Sequence, residues 1–146
     1  MIASILDRRY FESIREQEGG SYNIDCRGDI LIPINDSYLT MQFDTDTAKQ
    51  SRLMDIIHKE IQAIIDNGPQ ASDIQKSKEI MSKEINDLLV GNENWCSIIE
   101  SYYLFGFDYT DAQSVLNSIT AESIQNTLRK LVESGNILEV VMTPAE

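Results

Sequence analysis

A helix, a pair of glycines and a strand follow one another near the start of this sequence, and this order most constrains the fold. Apolar side chains recur at helical spacing, which predicts an amphipathic helix through Ile2, Ile5, Leu6, Tyr10 and Ile14. Gly19-Gly20 ends this helix, because glycine tolerates the positive φ that a helix C-terminus commonly adopts. From Tyr22 to Ile34 an apolar or small residue stands at every second position. That period predicts a strand folding back from the helix.

Arg15 and Tyr22 lie on either side of this turn. Arg15 stands in the last turns of the predicted helix, and Tyr22 stands at the start of the predicted strand. A cation and a phenol should therefore meet at one end of a single supersecondary unit. From the residues alone, Arg15 beside Glu12 and Glu16 would be expected to form a surface salt bridge worth about 0.3 kcal/mol. Tyr22 would be expected to be an aromatic side chain on a strand face.

A return strand and a long helix are predicted next. Apolar residues alternate over Leu39–Phe43 after the turn residues 35–37, so the two strands should form an antiparallel hairpin with one apolar face. Thr47 and Gln50 have the spacing of a capping box. A narrow apolar stripe follows them at helical spacing. Residues 67–69, Asn-Gly-Pro, end this helix.

The second half of the sequence is predicted to be mainly helical. Ser72 with Gln75 starts a helix that Gly91-Asn92 breaks. The aromatic-rich segment Trp95–Phe107 is predicted to be helical up to Leu104 or Phe105, and to form core with a partly exposed rim.

Two helices and a strand complete the predicted order. A short helix is expected over residues 111–119, and a further helix is expected to be capped by Thr120. Ile137–Thr143 is predicted to be a final strand, terminated by Pro144. The predicted fold class is α+β, with helices packed on one face of a small, mainly antiparallel sheet. Residues 1–146 are of the length expected for a single domain.

Composition limits the classes of partner. The formal net charge of −12 argues against nucleic acid and anionic membrane surfaces, because both attract patches of Lys and Arg. The two cysteines form neither a disulfide framework nor a metal-ligand pair at short spacing. Cys26 continues an apolar strand face, which predicts a buried free thiol. The sequence leaves the compartment open.

The order Tyr-Phe-Glu-Ser-Ile-Arg-Glu-Gln-Glu-Gly-Gly-Ser-Tyr over residues 10–22 resembles the C-terminal half-enzyme of the pitrilysin/insulinase family of zinc metallopeptidases. The Asp-Asn-Gly-Pro turn at 66–69 and the closing Glu-Val-Val-Met-Thr-Pro at 139–144 also fit. The resemblance therefore covers nearly the whole chain, and it implies that the chain starts in the middle of a pitrilysin-like domain. It also implies that Arg15 and Tyr22 bind the substrate backbone, facing a zinc site across a chamber between two half-enzymes.

A single histidine excludes the family's own zinc site. The inverted zincin motif His-x-x-Glu-His needs two histidines on one helix, and His58 is the one histidine of this sequence. We interpret His58 as a structural residue at the edge of an apolar stripe. No catalytic residue, metal ligand or cofactor is expected in this chain, and zinc is expected in the catalytic half of the parent. The chain alone should not be an enzyme.

The expected partners are the N-terminal catalytic half of the parent peptidase and a peptide substrate. The resemblance also implies a soluble bacterial parent, with the periplasm as one candidate compartment. The isolated chain is expected to form a homodimer, because a missing part of the domain would leave a strand edge unpaired. An alternative from another class is a non-enzymatic structural or interaction module that uses the same fold. In that alternative Arg15 and Tyr22 would be vestigial.

Overall fold

A computed structural model describes residues 1–17, 23–31 and 36–143, apart from the side chains of 15–17. The chain forms α1 (Ile2–Tyr10), a π-helical continuation (Phe11–Gln17), β1 (Ile24–Leu31), β2 (Asp36–Phe43), α2 (Gln50–Asn67), α3 (Ala71–Val90), a 3₁₀ turn (Asn92–Asn94), α4 (Trp95–Phe105), a second 3₁₀ turn (Tyr109–Asp111), α5 (Ala112–Ser118) and α6 (Ala121–Glu133). Helices thus dominate beside a small antiparallel sheet, which confirms the predicted α+β class.

The predicted hairpin is present. β1 and β2 pair antiparallel, with Ile24 opposite Phe43 at one end and Leu31 opposite Asp36 at the other. The face that carries Cys26 lies against α1, and Cys26 itself is buried. Ile30, which the alternation places on the same face, is 67% exposed. The apolar face is therefore covered near the start of β1 and uncovered at its far end.

The core lies where α1, α2, α6 and the hairpin meet. Four of the five apolar side chains that were predicted on one face of the N-terminal helix are buried, and Ile2 is partly buried. The buried ones are Ile5, Leu6, Tyr10 and Ile14. They join a cluster with side chains from α2, α6 and β1, namely Leu53, Ile57, Ile64, Ile65, Ile124, Leu128 and Cys26. The N-terminal helix is thus central to the fold.

Two helix boundaries follow the sequence closely. Gly68 ends α2 with φ of 77°, and its backbone N–H donates to the carbonyl oxygen of Ile64. Thr120 caps α6 in a reciprocal box: its Oγ1 accepts from the backbone N–H of Ser123, and Ser123 Oγ accepts from the N–H of Thr120. Both boundaries confirm the predicted ones.

Two other predicted caps are wrong. The residue that precedes α2 is Lys49 rather than Thr47, and the residue that precedes α3 is Gln70 rather than Ser72. Neither makes a side-chain capping hydrogen bond. α2 begins at Gln50, so Thr47 lies in the turn that precedes the helix. Tertiary packing rather than the local capping pattern therefore determines where these helices begin.

The predicted final strand is also absent. Residues 137–143 form no strand, and the described part of the sheet contains β1 and β2 alone. Leu138 and Met142 are 87% and 92% exposed. A strand needs a paired neighbour, and no described strand edge pairs with this segment. Among the described residues no helix is long and apolar enough to cross a bilayer.

The aromatic segment differs from expectation in its burial. α4 ends at Phe105, as predicted, with Gly106 beyond it in the left-handed region. Within this helix, however, Ile98 is the buried residue, while Trp95, Tyr102 and Tyr103 are exposed. The prediction of core with a partly exposed rim is therefore wrong for most of α4. The helix extends from the end of α3 and packs mainly against the turn that precedes it.

Candidate functional site

The helix that leads to Arg15 is fixed to α2 and α3 by two arginines. Arg9 donates from Nε and Nη2 to Asp73 Oδ2, both at 3.1 Å, and its Nη1 lies 3.4 Å from Glu60 Oε2. Arg8 donates to Ser77 Oγ at 2.9 Å. The side chains of Arg9, Asp73 and Glu60 are all shielded from most solvent. These charge-assisted hydrogen bonds fix α1, the helix that precedes Arg15, to α2 and α3.

Tyr10 marks the point where the helix changes geometry. Its ring is fully buried, and its hydroxyl lies 3.5 Å from the carbonyl oxygen of Ile57. Burial raises the pKa of the Tyr10 phenol far above its ordinary value, with smaller contributions from Cys26 and Glu60. After Tyr10 the backbone is π-helical as far as Gln17. Such segments are rare and frequently lie at functional sites.

The strand that follows is joined to the same helix through Asp7. The carboxylate Oδ1 of Asp7 accepts from the backbone N–H of Cys26 at 2.9 Å. Burial, together with the negative charges of Asp7 and Asp25, raises the pKa of the Cys26 thiol to about 12. Cys26 is therefore a neutral, buried thiol, as the sequence predicts, and it is unsuited to nucleophilic chemistry.

The structure describes the backbone of one of the two residues that were predicted to bind substrate. Arg15 lies on the π-helical continuation of α1, although its side chain is not among the described ones. Tyr22 lies outside the described residues, two positions before β1 begins at Ile24. The predicted turn at Gly19-Gly20 lies outside them as well. The meeting of Arg15 with Tyr22 stays a prediction.

His58 lies on the outer side of α2. Its side chain is about half exposed, and Nε2 lies 2.8 Å from Glu139 Oε1. Within residues 1–17, 23–31 and 36–143, no three side chains of His, Cys, Asp or Glu come together in a group that could hold a metal ion. The contact with Glu139 attaches the exposed segment after α6 to the helical body.

Sequence reasoning missed the exposed apolar surface of α4. The signal that could have revealed it is the distribution of charge. From Glu84 to Leu128 the sequence contains seven acidic residues and no Lys, Arg or His. A helix of aromatic residues inside such a stretch has few long basic side chains near it to cover its apolar surface.

The fold is found in proteins much longer than this chain. The periplasmic protease PqqL from Escherichia coli superposes with a TM-score of 0.74 at 14% identity, covering 88% of this chain and 15% of PqqL. A conserved protein from Enterococcus faecalis V583 superposes with a TM-score of 0.73 at 15% identity, covering 88% of this chain and 32% of that protein. At these identities the likeness concerns the fold alone. The chain thus spans less than a third of either structure.

A search of the curated proteins found no match for the sequence. A comparison with models of protein families did find one. The model described as the peptidase M16 inactive domain matches residues 1–81, which is more than half of the 146 residues. The match runs from α1 through the Arg15–Tyr22 stretch, the hairpin and α2 into α3. The resemblance to the pitrilysin family is thereby confirmed, and the chain belongs to the inactive, non-catalytic domains of the M16 peptidases.

Proposed function

We propose that this chain is the substrate-positioning, non-catalytic part of a zinc-dependent metalloendopeptidase. The observation that carries the proposal is the match of residues 1–81 to the M16 inactive domain, because this range includes Arg15 and Tyr22. The expected partner is the catalytic half of the same enzyme, which would hold the zinc ion that activates water. In this arrangement the chain lines one wall of the chamber, and a peptide lies between the two halves.

The chemistry assigned to Arg15 and Tyr22 follows from their donors. A guanidinium is always charged and presents several N–H groups, so Arg15 can bind the carbonyl oxygens of an extended peptide whatever its side chains. A phenol can donate to the oxygen that becomes negative when the scissile carbonyl is attacked. Tyr22 would thus act in the transition state, and Arg15 would act mainly in binding.

The anchoring of α1 supports this role. Positioning residues are effective only when the supporting structure holds them closely. Arg8 and Arg9 tie α1 to α3, and Arg9 also reaches α2. Asp7 ties α1 to β1, the strand that begins just after Tyr22. Both flanks of the Arg15–Tyr22 stretch are thus fixed to one body.

Kinetics of the parent enzyme tests the proposal. Tyr22→Phe should remove roughly 3 kcal/mol of transition-state stabilisation and therefore lower kcat. Arg15→Ala should mainly raise KM. Tyr38→Phe and Arg27→Ala are matched controls, because both side chains lie on the polar face of the hairpin. Values near wild type for Tyr22→Phe and Arg15→Ala would contradict the proposal and favour the alternative of an interaction module.

Metal analysis of the isolated chain gives a second test. The lone His58 cannot supply the two histidines of an inverted zincin helix. We therefore expect no stoichiometric zinc after dialysis and no peptide cleavage. One tightly held zinc ion per chain would contradict the assignment of the zinc to the catalytic half.

We also propose that the isolated chain forms a dimer, through a surface other than the hairpin edge. Carboxylates of Asp7 and Asp29 accept hydrogen bonds from the backbone N–H groups of Cys26 and Ile30, which blunts the outer edge of β1. The exposed apolar side chains of the segment after α6 offer a better contact, namely Ile137, Leu138, Val140, Val141 and Met142. Such a segment can pair with its copy about a twofold axis.

A further inference from the structure

The exposed side of α4 carries an apolar stripe. Trp95, Ile99, Tyr102 and Tyr103 occupy positions i, i+4, i+7 and i+8, so they lie along one face of the helix. We call these four residues the α4 stripe. All four are exposed, Tyr103 to 81%. The rings of Tyr102 and Tyr103 meet edge to face with centroids 5.6 Å apart, so the stripe presents ordered aromatic surface.

The α4 stripe is large enough to be an interface. A fully buried aromatic side chain covers roughly 150–250 Å², so four half-exposed large side chains present roughly 400 Å². Apolar patches of that size on a monomer are often functional. Phe107, just beyond the end of α4, is exposed as well. The area approaches what one partner contributes to a small protein interface, roughly 600 Å².

The charged residues next to the stripe in the sequence are all acidic. Glu93 precedes Trp95, Glu100 follows Ile99, and Asp108 follows Phe107; all three carboxylates are exposed. They belong to the stretch from Glu84 to Leu128 that has seven acidic residues and no basic ones. A second copy of the chain would place the same carboxylates opposite these, and like charges at an interface are unfavourable.

We infer that the α4 stripe is a docking surface for a basic amphipathic helix of another protein, one with an apolar stripe flanked by Lys and Arg. The apolar stripe of such a helix would pack along Trp95, Ile99, Tyr102 and Tyr103. Its flanking cations would lie near Glu93, Glu100 and Asp108. This surface is independent of Arg15 and Tyr22, so the inference does not rest on the proposed peptidase role.

Trp95 provides the measurement, because it is the one tryptophan of the sequence. The probe is a synthetic helix of about 18 residues, five turns, with a leucine stripe, lysine flanks and no aromatic residues. Adding it should shift the Trp95 emission to the blue and give saturable binding that weakens with added salt. The same peptide with glutamate in place of lysine should bind at least about tenfold more weakly.

Substitutions separate docking from general attraction to an acidic protein. Tyr103→Ser should weaken the lysine probe about tenfold, since it removes a large exposed contact, whereas Tyr38→Ser on the hairpin should not. Glu100→Lys should weaken the lysine probe and strengthen the glutamate probe, each by roughly two- to fivefold. Glu79→Lys on α3, outside the acidic stretch, is its control and should change neither.

Several results would overturn the inference. Equal binding of the two probes, or equal effects of Glu100→Lys and Glu79→Lys, would show that net charge alone attracts the peptide. An unchanged Trp95 emission would show that the probe does not reach the stripe. A dimer of the chain that Tyr103→Ser converts to monomer in sedimentation would identify a second copy as the occupant instead.

Discussion

The carboxylate of Asp7 lies 2.9 Å from the backbone nitrogen of Cys26 and accepts its hydrogen bond. This N–H points away from β2, at the edge of the hairpin where a further strand would pair. A side chain of α1 therefore supplies the acceptor that a neighbouring strand would otherwise provide. The helix and the sheet edge are thus joined by a specific polar contact as well as by apolar packing.

Asp7→Ala should lower the free energy of unfolding by about 1–3 kcal/mol, because it leaves the partly buried N–H of Cys26 without its acceptor. Asp7→Asn retains an oxygen acceptor and should cost less. Urea unfolding provides the measurement. Asp29→Ala is the control, since Asp29 accepts from the exposed N–H of Ile30 and water can replace it. Equal losses for Asp7→Ala and Asp29→Ala would contradict the special role of Asp7.

Arg9→Met should destabilise the fold by about 2 kcal/mol, because Asp73 and Glu60 would lose the cation that pairs with them in a shielded site. Arg27→Met is the matched control. Arg27 pairs with Asp25, but its side chain is 80% exposed, and such pairs contribute at most about 1 kcal/mol. Thermal unfolding of the two variants checks the difference. Similar shifts in Tm would show that Arg9 does not anchor α1.

Stability should fall with rising pH above about 9. The pKa of Cys26 is raised from 9.0 to about 12 in the folded chain, so between these values the unfolded chain releases a proton that the folded chain keeps. The unfolded state then binds fewer protons, and the free energy of unfolding decreases as pH rises. Burial raises the pKa of Tyr10 in the same direction.

Cys26→Ala should flatten the first part of this alkaline slope, measured by urea unfolding at several pH values. Cys96→Ala is the control, because Cys96 is exposed, and it should leave the slope unchanged. A slope that is the same in both variants would mean that another group controls the alkaline transition.

Gly28→Ala and Gly68→Ala should have opposite effects. A Cβ at Gly28 would meet its nearest atom, Ala3 Cβ, at 3.5 Å, an ordinary contact. Alanine should therefore stabilise this strand position by about 0.5 kcal/mol through the unfolded state. Gly68 has φ of 77° and ψ of 166°, a region open almost only to glycine, so alanine there should cost about 1–3 kcal/mol. Chemical denaturation that ranks the two variants the other way would contradict this assignment.

The isolated chain should dimerise at micromolar concentration, and added salt should not weaken the dimer. Salt screens the repulsion between copies of net charge −12 and leaves apolar burial in place. Light scattering on a sizing column measures the mass at low and high salt. Leu138→Lys should favour the monomer, whereas Ile80→Lys, at an exposed position of α3, should not. A clean monomer at both salt concentrations would refute the proposal.

Periodicity predicted the parts of the fold that depend on local pattern. The buried face of α1, the hairpin and the limits of α4 and α6 followed from spacing. The spacing of apolar residues indicates which side of an element faces the core and where that element ends. The outward state of Tyr103 did not follow. The sequence alone does not distinguish an aromatic residue that packs in the chain's own core from one that is exposed and available to another molecule. The absent strand at 137–143 has the same cause, since pairing depends on a neighbour.

The long-range contacts of the candidate site could not be predicted from the sequence either. The bonds of Arg9 to Glu60 and Asp73 join three helices far apart in sequence, and no local pattern marks those partners. Arg15 and Tyr22 were found through resemblance to a family motif; charge and spacing alone would have assigned Arg15 to a surface salt bridge.

The contacts of α1 also affect the order of events during synthesis. Ser4 bonds to Ser77, 73 positions later in the chain. At about 5–20 residues per second, the ribosome needs roughly 4–15 seconds to add that length. Until α3 emerges, Ser4, Arg8 and Arg9 of α1 lack their hydrogen-bond partners Asp73 and Ser77 on that helix. Docking of α1 against α3 is therefore a late, long-loop step of folding.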